Sequence, residues 1–212
     1  MRNSLGLTEN ASTNMYRLMH AEGDGVPGLI IDFYNGTAVI QAHAIGIYNA
    51  LDEISKALLK VYGDKLITIY NKSAESLAKQ TDQVVENEYI YQNGEPQLVG
   101  LEYENQFNLD WINGQKTGFF LDQRENRKLI GEFSKDKKVL NTFCYSGGFS
   151  VFALKAGAKE VHSVDSSQKA IDLTDANIKL NKLKNHQINK GDVIIFASVG
   201  SGMNINAVVY KY

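Results

Sequence analysis

Residues 138–168 read KVLNTFCYSGGFSVFALKAGAKEVHSVDSSQ, and this stretch decides the fold of the chain. The short apolar run Val139-Leu140 leads into a turn that contains Gly147-Gly148. A helix-like, mostly apolar segment follows over residues 149–156, and a second apolar run, residues 161–164, ends on Asp165. The order of strand, glycine turn, helix, strand and acidic residue predicts a single β-α-β unit.

The glycines and the acidic residue of this unit predict a site for a nucleotide-like cofactor. Glycine lets the backbone come close to a ligand, the first turn of the helix offers free N–H groups, and a carboxylate after the second strand can accept hydrogen bonds from two ribose hydroxyls. Asp165 follows Gly147 by 18 residues (165 − 147), close to the spacing of about 20 in such units. A dinucleotide motif, G-x-G-x-x-G, would require a third glycine near position 151, where Val151 stands.

Two segments carry a resemblance to a known family. The turn from Asn141 to Phe149 resembles the first cofactor motif of class I S-adenosylmethionine-dependent methyltransferases. Residues 117–127, TGFFLDQRENR, resemble the signature of one branch, the 23S rRNA cytosine-5 methyltransferases. The resemblance runs from about Tyr16 to Asp192. It implies S-adenosyl-L-methionine as the cofactor, 23S rRNA as the partner, and methyl transfer to C5 of a cytosine as the activity.

The predicted fold class is α/β, with a Rossmann-like class I methyltransferase domain, truncated at its C-terminus, behind a small α+β domain. The expected boundaries are a linker over 1–15, the small domain over 16–112 and the methyltransferase domain over 113–212. In the resembling family an RNA-binding PUA domain usually precedes this point, and the chain carries no such domain before residue 16.

Local patterns predict individual elements. Asn35-Gly36 lies between two β-branched runs and predicts a hairpin, because both residues tolerate positive φ. Asn93-Gly94 suggests a second hairpin. Apolar residues recur at three- and four-residue steps from Tyr48 to Tyr62, which predicts a helix. Leu121 to Phe133 predicts another helix, and Trp111 is interpreted as a packing residue.

The resemblance, transferred residue by residue, implies a cofactor site made of four groups. They are Gln123 and Arg124 in the eleven-residue block; Phe143, Tyr145, Ser146, Gly147 and Gly148 in the turn; Asp165 and Ser166 after the second strand; and Asp192 after the third.

Each group has a simpler interpretation that the residues leave open. Gln123 and Arg124 contact the cofactor or RNA, or else belong to a solvated helix whose mixed charges form i,i+3 pairs. The two glycines could form only a strand-to-helix turn. Asp165 could serve only as a helix cap, and Asp192 could lie in a simple turn.

The chain departs from the family pattern after Asp192. Family members continue into Asp-Pro-Pro and a later cysteine that attacks C6 of cytosine, whereas this sequence has no Asp-Pro-Pro and no cysteine after Cys144. No catalytic residue is therefore assigned, and Cys144, inside the cofactor turn, is interpreted as structural. We expect this polypeptide alone not to methylate rRNA. Two alternatives follow: a non-catalytic fragment that binds cofactor or RNA, and a methyltransferase that acts on another substrate.

Net charge, cysteine and histidine content, and the lack of long apolar runs exclude several classes of protein. The net charge of the 212 residues is −2, so an RNA partner would need a local basic patch. A single cysteine excludes an intrachain disulfide framework, and the four scattered histidines give no metal-site spacing. The absence of a signal peptide and of a long apolar run predicts a cytoplasmic protein without a membrane partner. A homodimer is an oligomeric state that the sequence leaves open.

Overall fold

The structure, a computed structural model, describes residues 2, 4–82, 84–190, 197–199 and 205–207. Two compact units divide the chain, Met1–Glu125 and Asn126–Tyr212. The sequence placed a domain boundary after residue 112 instead, and the predicted domains stay a prediction. Within the described parts of the chain, none of the helices combines the length and hydrophobicity of a bilayer-spanning segment. The same parts contain no group of three or more His, Cys, Asp or Glu side chains arranged to hold a metal ion.

The first unit is built on a mixed sheet with the strand order β1-β2-β3-β4-β5 and on a separate β6-β7 hairpin. The pairing between β3 and β4 is parallel, and the other pairings of the sheet are antiparallel. The strands are β1 (Met15–His20), β2 (Leu29–Tyr34), β3 (Thr37–Ala42), β4 (Thr68–Asn71), β5 (Glu88–Gln92), β6 (Val99–Glu102) and β7 (Asn105–Asn108). The helices are α1 (Ile45–Asn49), α2 (Leu51–Tyr62) and α3 (Ala74–Leu77), with 3-10 turns at Ala21–Asp24, Gly63–Lys65 and Leu121–Gln123.

The hairpin predicted at Asn35-Gly36 is confirmed. The two residues have φ values of 43° and 95°, and they connect the antiparallel strands β2 and β3. The helix predicted over residues 48–62 is also confirmed and corresponds to the end of α1 together with α2. Leu51 and Leu58 of α2 enter a buried apolar cluster with Ile31 of β2. Burial of this apolar face stabilises a helix of only 12 residues, which would be marginal in isolation.

The hairpin suggested at Asn93-Gly94 is wrong. These residues end β5, which pairs with β4 and not with β6, and Asn93 N–H donates to the carbonyl of Ile67 at 2.8 Å. The hairpin turn in this region lies at Tyr103-Glu104, where φ is 49° and 63°. A turn-prone pair identifies where a strand can end, but the partner of that strand is selected by tertiary packing.

Trp111 is a packing residue, as the sequence suggested. Its side chain is only 2% exposed, and Nε1–H donates to the hydroxyl of Tyr89 at 3.2 Å. Phe107 and Phe119 pack against each other nearby in sequence, with ring centroids 4.9 Å apart. The segment after β7 is therefore held by buried aromatic side chains, and the polar N–H group of Trp111 is hydrogen-bonded.

The second unit contains the predicted β-α-β unit. The parallel three-stranded sheet has the order β10-β9-β8, with β8 (Lys138–Thr142), β9 (Glu160–Asp165) and β10 (His186–Lys190). The helices are α4 (Arg124–Ser134), which begins in the first unit, α5 (Gly148–Lys155) and α6 (Gln168–Leu180). A further antiparallel pair consists of β11 (Ala197–Val199) and β12 (Ile205–Ala207). The prediction of strand, turn, helix and strand over 138–165 is confirmed.

Candidate functional site

The glycine turn and the acidic residue meet at one edge of the parallel sheet. The strands β8 and β9 run side by side with Thr142 opposite Val164, so the residues that follow each strand lie at the same end. Cys144 N–H, in the turn after β8, donates to the carbonyl of Val164 at 3.2 Å. Ligands of open α/β sheets bind at this end, outside the carboxyl ends of the strands.

Asp165 connects the two loops at this edge. Its Oδ2 accepts a hydrogen bond from Tyr145 N–H at 3.0 Å, and its Oδ1 accepts one from Ser167 N–H at 2.9 Å. The N-cap of α6 is Ser167, whose Oγ accepts from Ala170 N–H at 3.4 Å, so Asp165 is not itself the cap. A carboxylate has about four lone-pair sites, and Asp165 is only half-buried. It therefore keeps acceptor capacity for a ligand.

The backbone of the turn is held in an unusual conformation. Every second residue has a positive φ: 53° at Phe143, 47° at Tyr145 and 70° at Gly147. A left-handed conformation costs a residue with a Cβ atom about 1–2 kcal/mol, so both aromatic residues are strained. The Phe143 side chain is 73% exposed despite its apolar character. Strain of this kind concentrates at ligand sites, where the surrounding structure maintains it.

The two glycines are required by the protein itself. A Cβ atom at Gly147 would lie 2.6 Å from Cγ2 of Thr174, and one at Gly148 would lie 2.8 Å from Cδ of Arg127. The sequence suggests the close approach of a ligand as the reason for these glycines. The structure adds close packing against neighbouring side chains as a separate and sufficient reason.

Polar side chains of α6 donate hydrogen bonds to backbone carbonyl groups of the turn. Thr174 Oγ1 donates to the carbonyl of Tyr145 at 3.0 Å, and Asn177 Nδ2 donates to the carbonyl of Ser146 at 2.8 Å. Both side chains are fully buried. Neither residue was predicted as part of the site from the sequence. The signal that could have found them is a pair of polar residues, three apart, on the apolar face of an amphipathic helix.

Cys144 is buried within the turn. Its Sγ lies 3.4 Å from Oγ1 of Thr174, and burial raises the pKa of the thiol. A thiol that is hard to ionise is a poor nucleophile. This agrees with the structural role predicted for Cys144.

Arg127 was also missed by the sequence argument, which placed it on a solvated helix. The residue is only 3% exposed, and its side chain packs against Gly148 at the start of α5. Charge patterning alone did not reveal this, because neighbouring Lys128 and Leu129 on α4 are exposed. The guanidinium group is a buried cation beside the glycine turn.

The remaining predicted site residues are placed as follows. Gln123 Nε2 donates to Oδ2 of Asp122 at 3.1 Å. Arg124 lies 3.5 Å from Oε2 of the buried Glu102 and donates through NH2 to a backbone carbonyl of β1 at 2.5 Å. Both residues belong to the first unit, whereas the turn residues and Asp165 belong to the second. Ser166 is exposed directly after Asp165. Asp192 lies outside the described residues.

The start of the eleven-residue block is anchored in the first unit by a buried carboxylate. Asp32 is fully buried, pairs with Arg17 through bonds of 2.9 and 3.0 Å, and accepts from Thr117 Oγ1 at 2.5 Å. Tyr34 Oη lies 2.8 Å from the same threonine hydroxyl, and burial raises the pKa of Tyr34. The Arg17–Asp32 pair is bidentate, which restricts its geometry as well as neutralising the buried charge.

A second chain of hydrogen bonds, partly buried, connects the sheet of the second unit to α5. Asn141 Nδ2 donates to Ser150 Oγ at 2.8 Å, and Ser150 Oγ lies 2.6 Å from Ser163 Oγ. Ser163 Oγ lies 2.8 Å from Nε2 of His186. Burial lowers the pKa of His186, so the neutral imidazole is favoured. This chain joins all three parallel strands and the helix that follows the turn.

The groups at the sheet edge fit an adenosine-type cofactor. Asp165 offers acceptor capacity suited to a ribose diol. The backbone N–H of Ser146 has no acceptor among the residues that the structure describes, so it offers a donor at the same place. The paired acceptor and donor match the chemistry of a nucleoside that carries a charged amino-acid tail.

A parallel β-α-β unit with a glycine turn and a carboxylate at the second strand end defines a Rossmann-like α/β cofactor domain. A family profile described as S-adenosylmethionine-dependent methyltransferase matches residues 73–205. The chain belongs to this family. The prediction of an S-adenosylmethionine-dependent methyltransferase with S-adenosyl-L-methionine as its cofactor is thereby confirmed.

Individual relatives agree with this assignment. The chain is 40% identical over 179 residues to a ribosomal RNA large subunit methyltransferase I of Tolumonas auensis, covering 84% of this chain and 45% of the relative. A structure from Streptococcus mutans, described as a SAM-dependent methyltransferase, superposes with a TM-score of 0.77 at 31% identity, covering 90% of this chain and 49% of the other. A methyltransferase complexed with SAH gives a TM-score of 0.77 at 32% identity, covering 91% and 48%. The predicted fold class is confirmed, and the chain spans about half the length of the curated relatives it matches.

Proposed function

We propose that the second unit binds S-adenosyl-L-methionine as the cofactor domain of an RNA methyltransferase. The observation that carries this proposal is the contact between Asp165 Oδ2 and Tyr145 N–H at 3.0 Å. It joins the acidic strand end to the glycine turn, so that an acceptor for ribose and the N–H groups of the turn serve one ligand. The family profile over residues 73–205 supports the choice of cofactor.

The predicted site residues take distinct roles in this proposal. Asp165 accepts hydrogen bonds from the ribose hydroxyls, with Ser166 beside it. The backbone of Phe143, Tyr145, Ser146, Gly147 and Gly148 surrounds the amino-acid end of the cofactor, and Asp192 contacts the adenine amino group. Gln123 and Arg124 contact cofactor or RNA. The bound cofactor supplies an electrophilic methyl group on a sulfonium centre, and the chain's own residues bind and orient it.

The substrate of the whole protein is proposed to be 23S rRNA, with methylation at C5 of a cytosine. The support is the name of the relatives, ribosomal RNA large subunit methyltransferase I, at about 40% identity. In this proposal the TGFFLDQRENR block is the signature of that enzyme family, and residues 16–112 form its small α+β domain. An RNA-binding PUA domain is proposed to lie elsewhere in the whole protein. A cytoplasmic location follows from an rRNA substrate.

A calorimetric titration with S-adenosylhomocysteine tests the cofactor role. The parent chain should bind, and Asp165→Asn should weaken binding by about 1–3 kcal/mol, the cost of losing hydrogen bonds to a charged group, or about 5- to 150-fold. Asp172→Asn is the matched control, because Asp172 is an exposed carboxylate on α6 whose hydrogen bond is to the exposed side chain of Gln168. The control should bind like the parent.

A second ligand separates the ribose role of Asp165 from its role in the turn. An S-adenosylhomocysteine analogue that lacks one ribose hydroxyl should bind the parent more weakly than the intact ligand. For Asp165→Asn, the analogue and intact S-adenosylhomocysteine should bind with almost the same affinity, because the partner of the missing hydroxyl is already impaired in that variant. If deletion of the hydroxyl lowers the affinity equally for the parent and for Asp165→Asn, Asp165 does not bind the ribose. No binding by the parent would refute the cofactor role of this unit.

A further inference from the structure

The buried face of α6 faces the carbonyl groups of the glycine turn. Thr174 and Asn177 are three residues apart, and they donate to the carbonyls of consecutive residues, Tyr145 and Ser146. The preceding carbonyl, of Cys144, accepts from Gly147 N–H at 2.7 Å. Three successive carbonyl groups of the turn are therefore paired within the protein.

Pairing of these carbonyls determines where the N–H groups point. In a trans peptide the C=O and the following N–H point in opposite directions. Because the Tyr145 carbonyl is directed at Thr174, the N–H of Ser146 is directed away from α6. That N–H has no acceptor in the part of the chain that the structure describes. The turn thus presents a donor on the side opposite its support.

The hydrogen bond from Thr174 holds a strained segment of the turn. Tyr145 holds a left-handed conformation with φ at 47°, although a Cβ atom disfavours it. Without a hydrogen bond to its carbonyl, the peptide group after Tyr145 would be able to rotate and relieve this strain. Thr174 also packs its Cγ2 against Gly147, so its methyl and its hydroxyl have separate roles.

We propose that Thr174 and Asn177 are positioning residues for the cofactor turn, which orient the peptide groups after Tyr145 and Ser146 so that the turn is preformed for the ligand. This inference rests on the proposed function of the same site. Neither side chain needs to touch the cofactor, since both act through the carbonyls that they hold. Preorganisation of this kind raises affinity by lowering the cost of ordering the site on binding.

Two substitutions at Thr174 separate its hydroxyl from its methyl. Thr174→Val keeps the shape and loses the donor, whereas Thr174→Ser keeps the donor and loses the methyl. If the hydroxyl positions the turn, Thr174→Val should weaken S-adenosylhomocysteine binding about tenfold or more, and Thr174→Ser should stay within about threefold of the parent. A packing role alone predicts the reverse order.

Asn177 provides a second test that does not depend on Thr174. Asn177→Leu removes the amide donor, keeps a side chain of four heavy atoms branched at Cγ, and should weaken binding about tenfold. Asn181→Leu is its matched control at the end of the same helix, since Asn181 Nδ2 donates to the backbone carbonyl of Asn177. The control should bind within about threefold of the parent. Circular dichroism confirms that each variant is folded before titration.

The outcomes distinguish this inference from the proposed function. Weak binding by Thr174→Val and Asn177→Leu, with binding retained by Thr174→Ser and Asn181→Leu, supports the positioning role. Parent-like binding by folded Thr174→Val and Asn177→Leu overturns the positioning role and leaves the cofactor role intact. If the parent itself does not bind, the cofactor role fails and the inference fails with it.

Discussion

Substitution of Gly147 by alanine tests the account of the turn. The residue has φ at 70°, which costs alanine about 1–2 kcal/mol. The new Cβ would also lie 2.6 Å from Thr174 Cγ2, and overpacking of this kind costs about 1–3 kcal/mol. We expect Gly147→Ala to destabilise the second unit by about 2–5 kcal/mol in total.

Gly157→Ala is the matched control. Its φ is 92°, so the backbone cost is similar, but the nearest atom to an added Cβ is Lys135 Cγ at 3.9 Å, an ordinary contact. The control should lose only the backbone term of about 1–2 kcal/mol. The difference between the two variants, about 1–3 kcal/mol, isolates the contact with Thr174.

The single cysteine supplies the assay. Cys144 is buried in the same turn, so its modification by an aromatic disulfide reagent requires the unit to open. When opening and closing are fast relative to modification, the labelling rate follows the population of the open form, and each 1.4 kcal/mol is tenfold. Gly147→Ala should label about 5- to 150-fold faster than Gly157→Ala.

Removal of the contacted methyl should reverse part of the effect. In the double variant Gly147→Ala/Thr174→Ser, the atom 2.6 Å from the new Cβ is gone, and the nearest remaining atoms of residue 174 are Oγ1 at 3.0 Å and Cβ at 3.1 Å. Labelling should slow toward that of Gly157→Ala. Equal labelling rates for Gly147→Ala and Gly157→Ala would refute the argument that Thr174 makes glycine necessary at this position.

Two further predictions concern buried polar groups. In the first unit, Asp32→Ala leaves Arg17 without its bidentate partner and should lower the free energy of unfolding by about 3–5 kcal/mol, measured by urea unfolding followed by Trp111 fluorescence. The double variant Arg17→Met/Asp32→Ala should lose less free energy of unfolding than the single variant. A larger loss in the double variant would contradict the role of the ion pair. In the second unit, burial holds the pKa of His186 below its ordinary value of 6.5, so the unfolded chain binds the proton more readily and stability should fall as pH drops below about 6.5. His186→Gln should remove this part of the pH dependence, measured as the difference in urea midpoint by circular dichroism between about pH 7.5 and about pH 5.5; an unchanged pH dependence would exclude His186 as its source.

Local sequence was sufficient wherever a few neighbouring residues control the backbone. Asn35-Gly36 tolerates positive φ at both positions and lies between two β-branched runs, and this local pattern predicts the β2–β3 hairpin. The order of strand, turn, helix and strand from Lys138 to Asp165 follows from apolar runs separated by glycines. The placement of Asp165 beside the turn follows as well, because neighbouring parallel strands end at the same edge.

Contacts between distant residues were decided only by the tertiary structure. Asn93-Gly94 has the same turn chemistry as Asn35-Gly36, yet β5 pairs with β4 because the partner of a strand depends on the whole sheet. Arg127 belongs by charge to a solvated helix but packs beneath Gly148. Thr174 and Asn177 lie about 30 residues beyond the carbonyls that they hold, with separations of 29 and 31. No local pattern encodes such a pairing, since hydrogen-bond partners in a buried turn are selected when the helix packs onto the sheet.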